Sequence, residues 1–239
     1  MYLKELRYYF TTPIAYIVIG LYQLALSLML WVIPGSWNIA DSGYASAAGL
    51  FYLSPWLLMI LTPALTMRLF AEEKQNGTWQ LLLSKPVSRT RIVLGKYFAA
   101  WTVLLLAQLP CFLHLFLISS IAEPQGNVDT GAFLGSMIGL MLISMVFAAC
   151  GTLCSVLTTN QITAFVAALI GCFILFYGFD LAAMLFSVGR VANIISWCSL
   201  NIHYQSIARG VLDISDFVYM LSVSTIMLAI SIKYLCCRT

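Results

Sequence analysis

Six apolar runs, each long enough to cross a bilayer, leave this chain almost no choice of fold. About 20 apolar residues at roughly 1.5 Å per residue span a hydrocarbon core about 30 Å thick. Such runs fall at roughly 14–33, 51–70, 92–119, 132–158, 161–186 and 216–235. No water is present at that depth to serve bare amides, so each run must be a helix. Composition agrees: 62% of the 239 residues are hydrophobic and 9% are charged, where a soluble domain carries about 45–50% and about 25%. The expected fold is an all-α integral membrane protein with six transmembrane helices and a single transmembrane domain over 1–239. No polar stretch approaches the roughly 50 residues of a small soluble domain.

The third to fifth runs exceed the minimum length, so tilting or a kink at Pro110 is expected. Only Thr158 to Gln161 separates the fourth run from the fifth, which demands a tight turn. With the N-terminus inside, the inner segments hold Lys4, Arg7, Arg68, Lys74, Lys85, Arg89, Arg91, Lys96, Lys233 and Arg238. The outer segments hold only Arg190 and Arg209 among six acids, Asp41, Glu123, Asp129, Asp180, Asp213 and Asp216. Ten of the twelve basic residues on one side place both termini in the cytoplasm by the positive-inside rule. The first run is longer than the roughly 7–15 residues of a signal-peptide core, and the small residues Ala45–Ala47 come too late for its cleavage site, so it reads as a retained span.

Outside the runs, "MYLKELRYYF" puts Leu3, Leu6 and Phe10 on one helical face and ends before Pro13. This predicts a short interfacial helix, or equally a charged cap that only orients the first span. Residues 187–215 are apolar but carry Arg190, His203 and Arg209; that is too much charge for a seventh span, so short outer-face or re-entrant helices are expected before the sixth.

Chemistry of the usual kinds is missing. Gly95-Lys96 looks like the end of a phosphate-binding loop, but Thr90 stands where that loop needs Gly and Tyr97 where it needs Ser or Thr. In "GSMIG", Gly135–Gly139, the serine is misplaced for a nucleophile elbow. Glu72-Glu73 lacks the membrane-embedded histidines of an intramembrane protease, since the only histidines are His114 and His203. The cysteines lack zinc-site spacing; Cys111, Cys150, Cys154 and Cys172 read as small buried side chains, and Cys236 and Cys237 as free or lipid-modified. Asp180 and His114 are the candidates for ion coupling, but both lie near the outer ends of their runs. No polar ring suggests a channel. Gln23 and Gln108 suit a transport path or ordinary helix–helix bonding. No metal, cofactor or nucleic-acid partner is expected.

The unabsorbed feature is the segment from Arg68 to Lys96, which holds eight of the 21 charged residues in 29 positions. Glu72 and Glu73 fall just inside the membrane after the second run. Gly77-Thr78 breaks the helix, and Thr78 suits the N-cap of a new one, "WQLLLSK", on which Trp79, Leu82 and Leu83 share a face until Pro86 stops it. Arg89 and Arg91 then re-enter beside headgroup phosphates. A short helix with more apolar surface than its exposure justifies, held between two spans, reads as a docking site for a partner.

At these residues the chain resembles the permease subunits of type-2 ABC exporters. The matching pattern is Glu72, Glu73, Lys74, Gly77, Thr78, Leu81, Leu82, Pro86, Gly95 and Lys96, and Gln80 departs from it where the family has Glu. "YYFTTPIAYIV" near the start and "HYQSIARGVLDISDFVYMLS" near the end resemble the gliding-motility, GldF-like branch. The resemblance implies a permease of an ATP-driven exporter in the bacterial inner membrane, non-catalytic itself, paired with a second permease copy or a sister permease. ATP and magnesium would sit on a separate cytoplasmic ATPase dimer, docked through a coupling helix that uses Glu72, Glu73, Gly77, Thr78, Leu81, Leu82 and Pro86. The interfacial helix with Leu3, Leu6 and Phe10 would pass the motion on. The branch also implies a membrane-anchored outer-face partner. The alternative is a non-transporting scaffold that recruits a cytoplasmic partner through the same helix.

Overall fold

The computed structural model describes residues 1–42, 46–79, 88–122, 128–186, 189–209 and 213–237. Among them the regular elements are all helical: α1 (Tyr2–Thr11), α2 (Ile14–Ser27), α3 (Ile39–Ser42), α4 (Ala48–Thr66), α5 (Arg68–Gln75), α6 (Arg89–Gln108), α7 (Cys111–Ile121), α8 (Thr130–Leu157), α9 (Gln161–Phe173), α10 (Phe179–Met184), α11 (Arg190–Trp197), α12 (Leu200–Ala208) and α13 (Ile214–Cys237). A π-helical turn, Leu28–Val32, extends α2, and another, Ile174–Gly178, joins α9 to α10. Six helical stretches are long and apolar enough to cross a membrane: Ile14–Val32, Ala48–Gln75, Arg89–Ile121, Thr130–Leu157, Gln161–Met184 and Ile214–Cys237.

These stretches match the six apolar runs, but two boundaries move. The second continues as helix to Gln75, so Glu72 and Glu73 extend the span rather than follow it, and the third already begins at Arg89. Pro110 breaks the third as expected: α6 stops at Gln108 and α7 starts at Cys111, because proline offers no amide hydrogen to continue the ladder.

The fourth span, α8, is the axis of the bundle. Over an 18-residue apolar stretch 72% of its residues are buried, against 22% over such a stretch of the fifth span, and it packs on α4, α9, α12 and α13. Small residues set how closely its neighbours approach. A Cβ on Gly151 would sit 2.0 Å from Thr66 Oγ1, so α4 crosses α8 at a point only glycine permits. Gly171 of α9 leaves room for the Cys150 thiol, and Gly139 receives the ring of Tyr204.

Breaks in the helices are repaired from α8. Between α4 and α5 the chain steps at Met67, a few residues after Pro63, which lies inside α4. Ser155 Oγ accepts from the amides of Phe70 at 3.0 Å and Ala71 at 3.2 Å and donates to the Met67 carbonyl at 3.0 Å. One hydroxyl thereby uses its single proton and both lone pairs on a broken ladder. Lys74 Nζ donates to the carbonyls of Val156 and Thr158 at the end of α8, and Arg89 Nη1 donates to the Cys236 carbonyl at 2.9 Å. Cations belong at these negative helix ends. The tight turn after α8 closes when Asn160 Oδ1 accepts from the amide of Ile162 at 2.9 Å, starting α9.

At the opposite end α11 and α12 fold over the bundle. Tyr204 OH donates to the Phe51 carbonyl at 2.7 Å, and Ser199 Oγ donates to the Phe176 carbonyl at 2.9 Å. Burial raises the Tyr204 phenol well above its ordinary pKa, which keeps it a neutral donor. His203 is buried with Nδ1 2.6 Å from Asp216 Oδ1 and Nε2 2.8 Å from the Trp197 carbonyl oxygen. Both neighbours are acceptors when the carboxylate is ionised, so the ring bonds both only with a proton on each nitrogen. The ring also stacks on Tyr219, whose hydroxyl donates to the Cys198 carbonyl. These bonds tie the turn between α11 and α12 to the first turns of α13.

Gly151→Ala should therefore cost about 1–3 kcal/mol by overpacking. The thermal unfolding of the purified protein should drop accordingly, and adding Thr66→Ala, which removes the closest atom, should recover part of the loss. Strict additivity of the two substitutions would show that the helices do not meet there.

Candidate functional site

Glu72 and Glu73 are adjacent on α5, about 100° apart around the helix, so only one of them can face the bundle. Glu73 does. Its Oε1 lies 2.8 Å from Lys96 Nζ, and Glu5 Oε1 lies 3.4 Å from the same nitrogen. Lys96 is only 2% exposed, and its ammonium stands 5.3 Å from the centre of the Phe70 ring. A buried cation held by two carboxylates and an aromatic ring ties together α1, α5 and α6. Glu73 Oε2 has no hydrogen-bond partner among the described residues.

Glycine makes the triad possible. A Cβ on Gly95 would sit 2.9 Å from Met1 Cβ and 3.2 Å from the Tyr2 amide nitrogen. Its absence lets the start of α1 rest directly on α6, one residue from Lys96, which brings Glu5 into range. Tyr2 OH and Thr102 Oγ1 share a hydrogen bond at 3.0 Å further along α6. Tyr9 OH donates to the Leu65 carbonyl at 3.3 Å. Burial, reinforced by Glu5, pushes the Tyr9 phenol well above its ordinary pKa and holds it as a neutral donor.

The face of α1 turned to the protein is thus Tyr2, Glu5 and Tyr9. Leu6 and Phe10 flank it, partly buried against the core, whereas Leu3 is exposed. The three apolar residues that share a helical face in the sequence do not share one environment.

Glu72 makes no ion pair with Lys96; it lines an open cleft of about 230 Å³ between α1 and α5 together with Lys4, Tyr8, Arg68 and Asn76, and Glu5, Glu73 and Lys96 of the triad border the same cleft. Gly77 ends α5 in the left-handed region at φ 71°. Thr78 Oγ1 donates back to the Glu73 carbonyl at 3.3 Å, so this hydroxyl closes α5. Trp79 meets Phe70 edge-on at 5.8 Å. Gln80, Leu81, Leu82 and Pro86, the centre of the expected docking helix, lie in 80–87, outside the described residues.

Sequence reasoning named Glu73, Gly95 and Lys96 but did not join them, and it missed Glu5 and Ser155. A signal for the triad was present: a lysine at the start of a transmembrane run calls for an acidic partner. Nothing in the sequence pairs it with Glu5 rather than with another carboxylate, because that depends on how α1 folds back. Of the other candidates, His114 is buried and Nδ1 accepts from Trp31 Nε1 at 3.2 Å; Gln23 Nε2 donates to the Ala107 carbonyl at 2.8 Å. Both are helix–helix bonds. The seven cysteines are free, with Cys111, Cys150 and Cys172 buried and Cys236 and Cys237 exposed.

The sequence model of one protein family, described as ABC-2 family transporter protein, matches residues 39–235. The chain belongs to the ABC-2 transporter family. It is a multi-pass membrane component of an ABC-2 type transporter, of the permease kind. No curated protein matches it. The family match begins after α1, so the triad joins a helix outside the matched region to two within it. Lys96 and Glu73 also flank the segment between the second and third spans, and their pairing clamps its two feet together.

Lys96→Met should destabilise this ABC-2 protein by about 3 kcal/mol, because buried Glu5 and half-buried Glu73 lose their cation. The triple variant Glu5→Gln, Glu73→Gln, Lys96→Met should recover most of that in thermal unfolding. A single Lys96→Met variant as stable as the parent would show that the three groups do not form a buried unit.

Proposed function

We propose that the chain is the permease subunit of an ATP-driven exporter, moved by a separate ATPase that docks on the segment between α5 and α6. The observation that carries this reading is the Glu5–Lys96–Glu73 triad. A docking segment transmits force only if its two ends cannot slide past each other, and the triad locks α5, α6 and the N-terminal helix into one block directly beside it. Ser155 and Lys74 extend that block to α8, the axis of the bundle. Glu72, Thr78, Leu81, Leu82 and Pro86 form or shape the docking element, with Gly77 setting its entry angle.

The described end of the bundle that carries α1 also carries Lys4, Arg7, Arg68, Lys74, Arg89, Arg91, Lys96 and Lys233, and the positive-inside rule assigns that end to the cytoplasm. In this reading two permeases pair, either two copies or this chain with a sister chain. ATP and magnesium reside on the ATPase dimer, and closure of that dimer is delivered to the spans as rigid-body motion. The chain itself does no chemistry. The GldF-like resemblance supports a bacterial inner membrane setting and an outer-face auxiliary partner.

The test is purification of the tagged protein from its native membranes with mass spectrometry of what stays bound, followed by ATP hydrolysis by the complex. An ATPase should co-purify, with hydrolysis dependent on the permease. Leu82→Asp should lower both by about tenfold, as expected when a charge replaces an apolar group at a docking contact, while leaving thermal unfolding unchanged. Retained ATPase association in that variant would overturn the docking assignment, and a partner without ATP hydrolysis would establish the scaffold instead.

A further inference from the structure

At the end of the bundle away from the triad, α4, α10, α11 and α12 border an open cavity of about 640 Å³, within the roughly 300–1,000 Å³ that small-molecule sites occupy. Aromatic rings form part of its walls. Trp56 stands edge-on to Phe176 with ring centres 5.7 Å apart and lies at the same distance from Tyr177; Tyr52 and Phe186 line it as well.

Among the described residues, the single acidic or basic side chain on the lining is Asp180, with 9% of its surface exposed. Its Oδ2 accepts from Asn201 Nδ2 at 2.8 Å, and no cation stands within ion-pair reach among the described residues. Arg190 is exposed and does not line the cavity. Contrast other carboxylates: buried Glu5 and half-buried Glu73 meet Lys96, and buried Asp216 meets His203. A largely buried carboxylate without a counter-ion is costly, and this one opens onto a space that a ligand can fill.

We propose that this cavity binds a hydrophobic monovalent organic cation, with Asp180 as counter-ion and the rings of Trp56, Tyr177 and Phe176 as its cation–π walls. Aromatic faces attract a cation, most strongly once it is desolvated. One carboxylate among aromatic rings is a poor set for calcium or magnesium, which take six or so oxygen ligands. Asn193, Ser196 and Gln205 add neutral polar groups on one side, suited to the polar part of an amphiphile. The charge can come from a free amphiphilic amine or from the quaternary ammonium of a lipid headgroup, and the chemistry is the same. The assignment needs no ATPase and stands or falls apart from the coupling reading.

Its test is binding of radiolabelled tetraphenylphosphonium to the purified full chain in lipid nanodiscs, with empty nanodiscs subtracted. Tetraphenylborate, of the same shape and opposite charge, is the comparison. Saturable binding of the cation and not the anion is expected. Asp180→Asn, which can still accept from Asn201, should weaken it about tenfold or more, and Trp56→Leu about fivefold. Asp180→Glu should retain most of it, and all variants should unfold at the parent temperature. Phosphatidylcholine nanodiscs in place of phosphatidylglycerol ones distinguish the sources: competition by phosphatidylcholine identifies a headgroup site, and its absence identifies a site for free cations. Equal binding of both probes, or cation binding that survives Asp180→Asn, overturns the proposal.

Discussion

Inside a hydrocarbon layer each polar group needs a partner from the protein itself, and the rest of this molecule is organised around meeting that demand. The bundle breaks its helices at Met67, at Leu109–Pro110 and between α8 and α9, and each break frees backbone groups. The repair at Met67 comes from across the bundle, through Ser155, and the end of α8 is served by Lys74. A repair of this kind is also a mechanical connection. Where a side chain of one helix completes the backbone of another, the two cannot separate without exposing unpaired groups, so α4, α5 and α8 move together or not at all. The exceptions among the described residues are buried polar atoms of Tyr22, Thr62 and Gln108 and one carboxylate oxygen each of Glu73 and Asp216.

The Lys96 triad follows the same rule for whole charges. A lone buried ammonium would be intolerable, and a single carboxylate would only neutralise it. The second carboxylate, from α1, makes the N-terminal helix part of the unit. Its contribution to net stability is modest by the usual comparison with apolar packing, but its geometry is specific: three helices have to be in register at once for the charges to meet. For a machine that must relay movement from one end of a bundle, specificity of register matters more than stability.

The spans were legible because their signal is local: length and hydropathy suffice. So were the breaks at Gly77 and Pro110, each announced by a residue that disfavours a continuous helix. The site was legible only in part. Glu72 and Glu73 stand out together, yet which one turns inward depends on where Lys96 sits across the bundle. Gly95-Lys96 invites comparison with a phosphate loop and is instead a contact surface for the start of α1 followed by a buried cation. Helical periodicity placed Leu3, Leu6 and Phe10 on one face, but the polar Glu5 and the tyrosines decide which face is buried, because the protein beneath α1 offers a lysine and carbonyl groups rather than an apolar groove. Ser155 and Gly151 carry no local sign of their roles; each acts on a residue more than 80 positions away.

Charge is distributed differently at the two ends, and that difference separates structure from function. At the α1 end the buried charges close on one another: Lys96 on Glu5 and Glu73. At the other end His203 and Asp216 likewise close, fastening α12 to α13. Asp180 does not. The same fold that builds a three-helix triad to settle one lysine leaves this carboxylate with a single amide donor among the described residues, on the wall of an open cavity of about 640 Å³. Stability alone would favour replacing such a group with asparagine or leucine. A carboxylate at that position makes physical sense when its counter-ion arrives from outside, and the aromatic rings around it then serve a ligand as well as the packing of the fifth span.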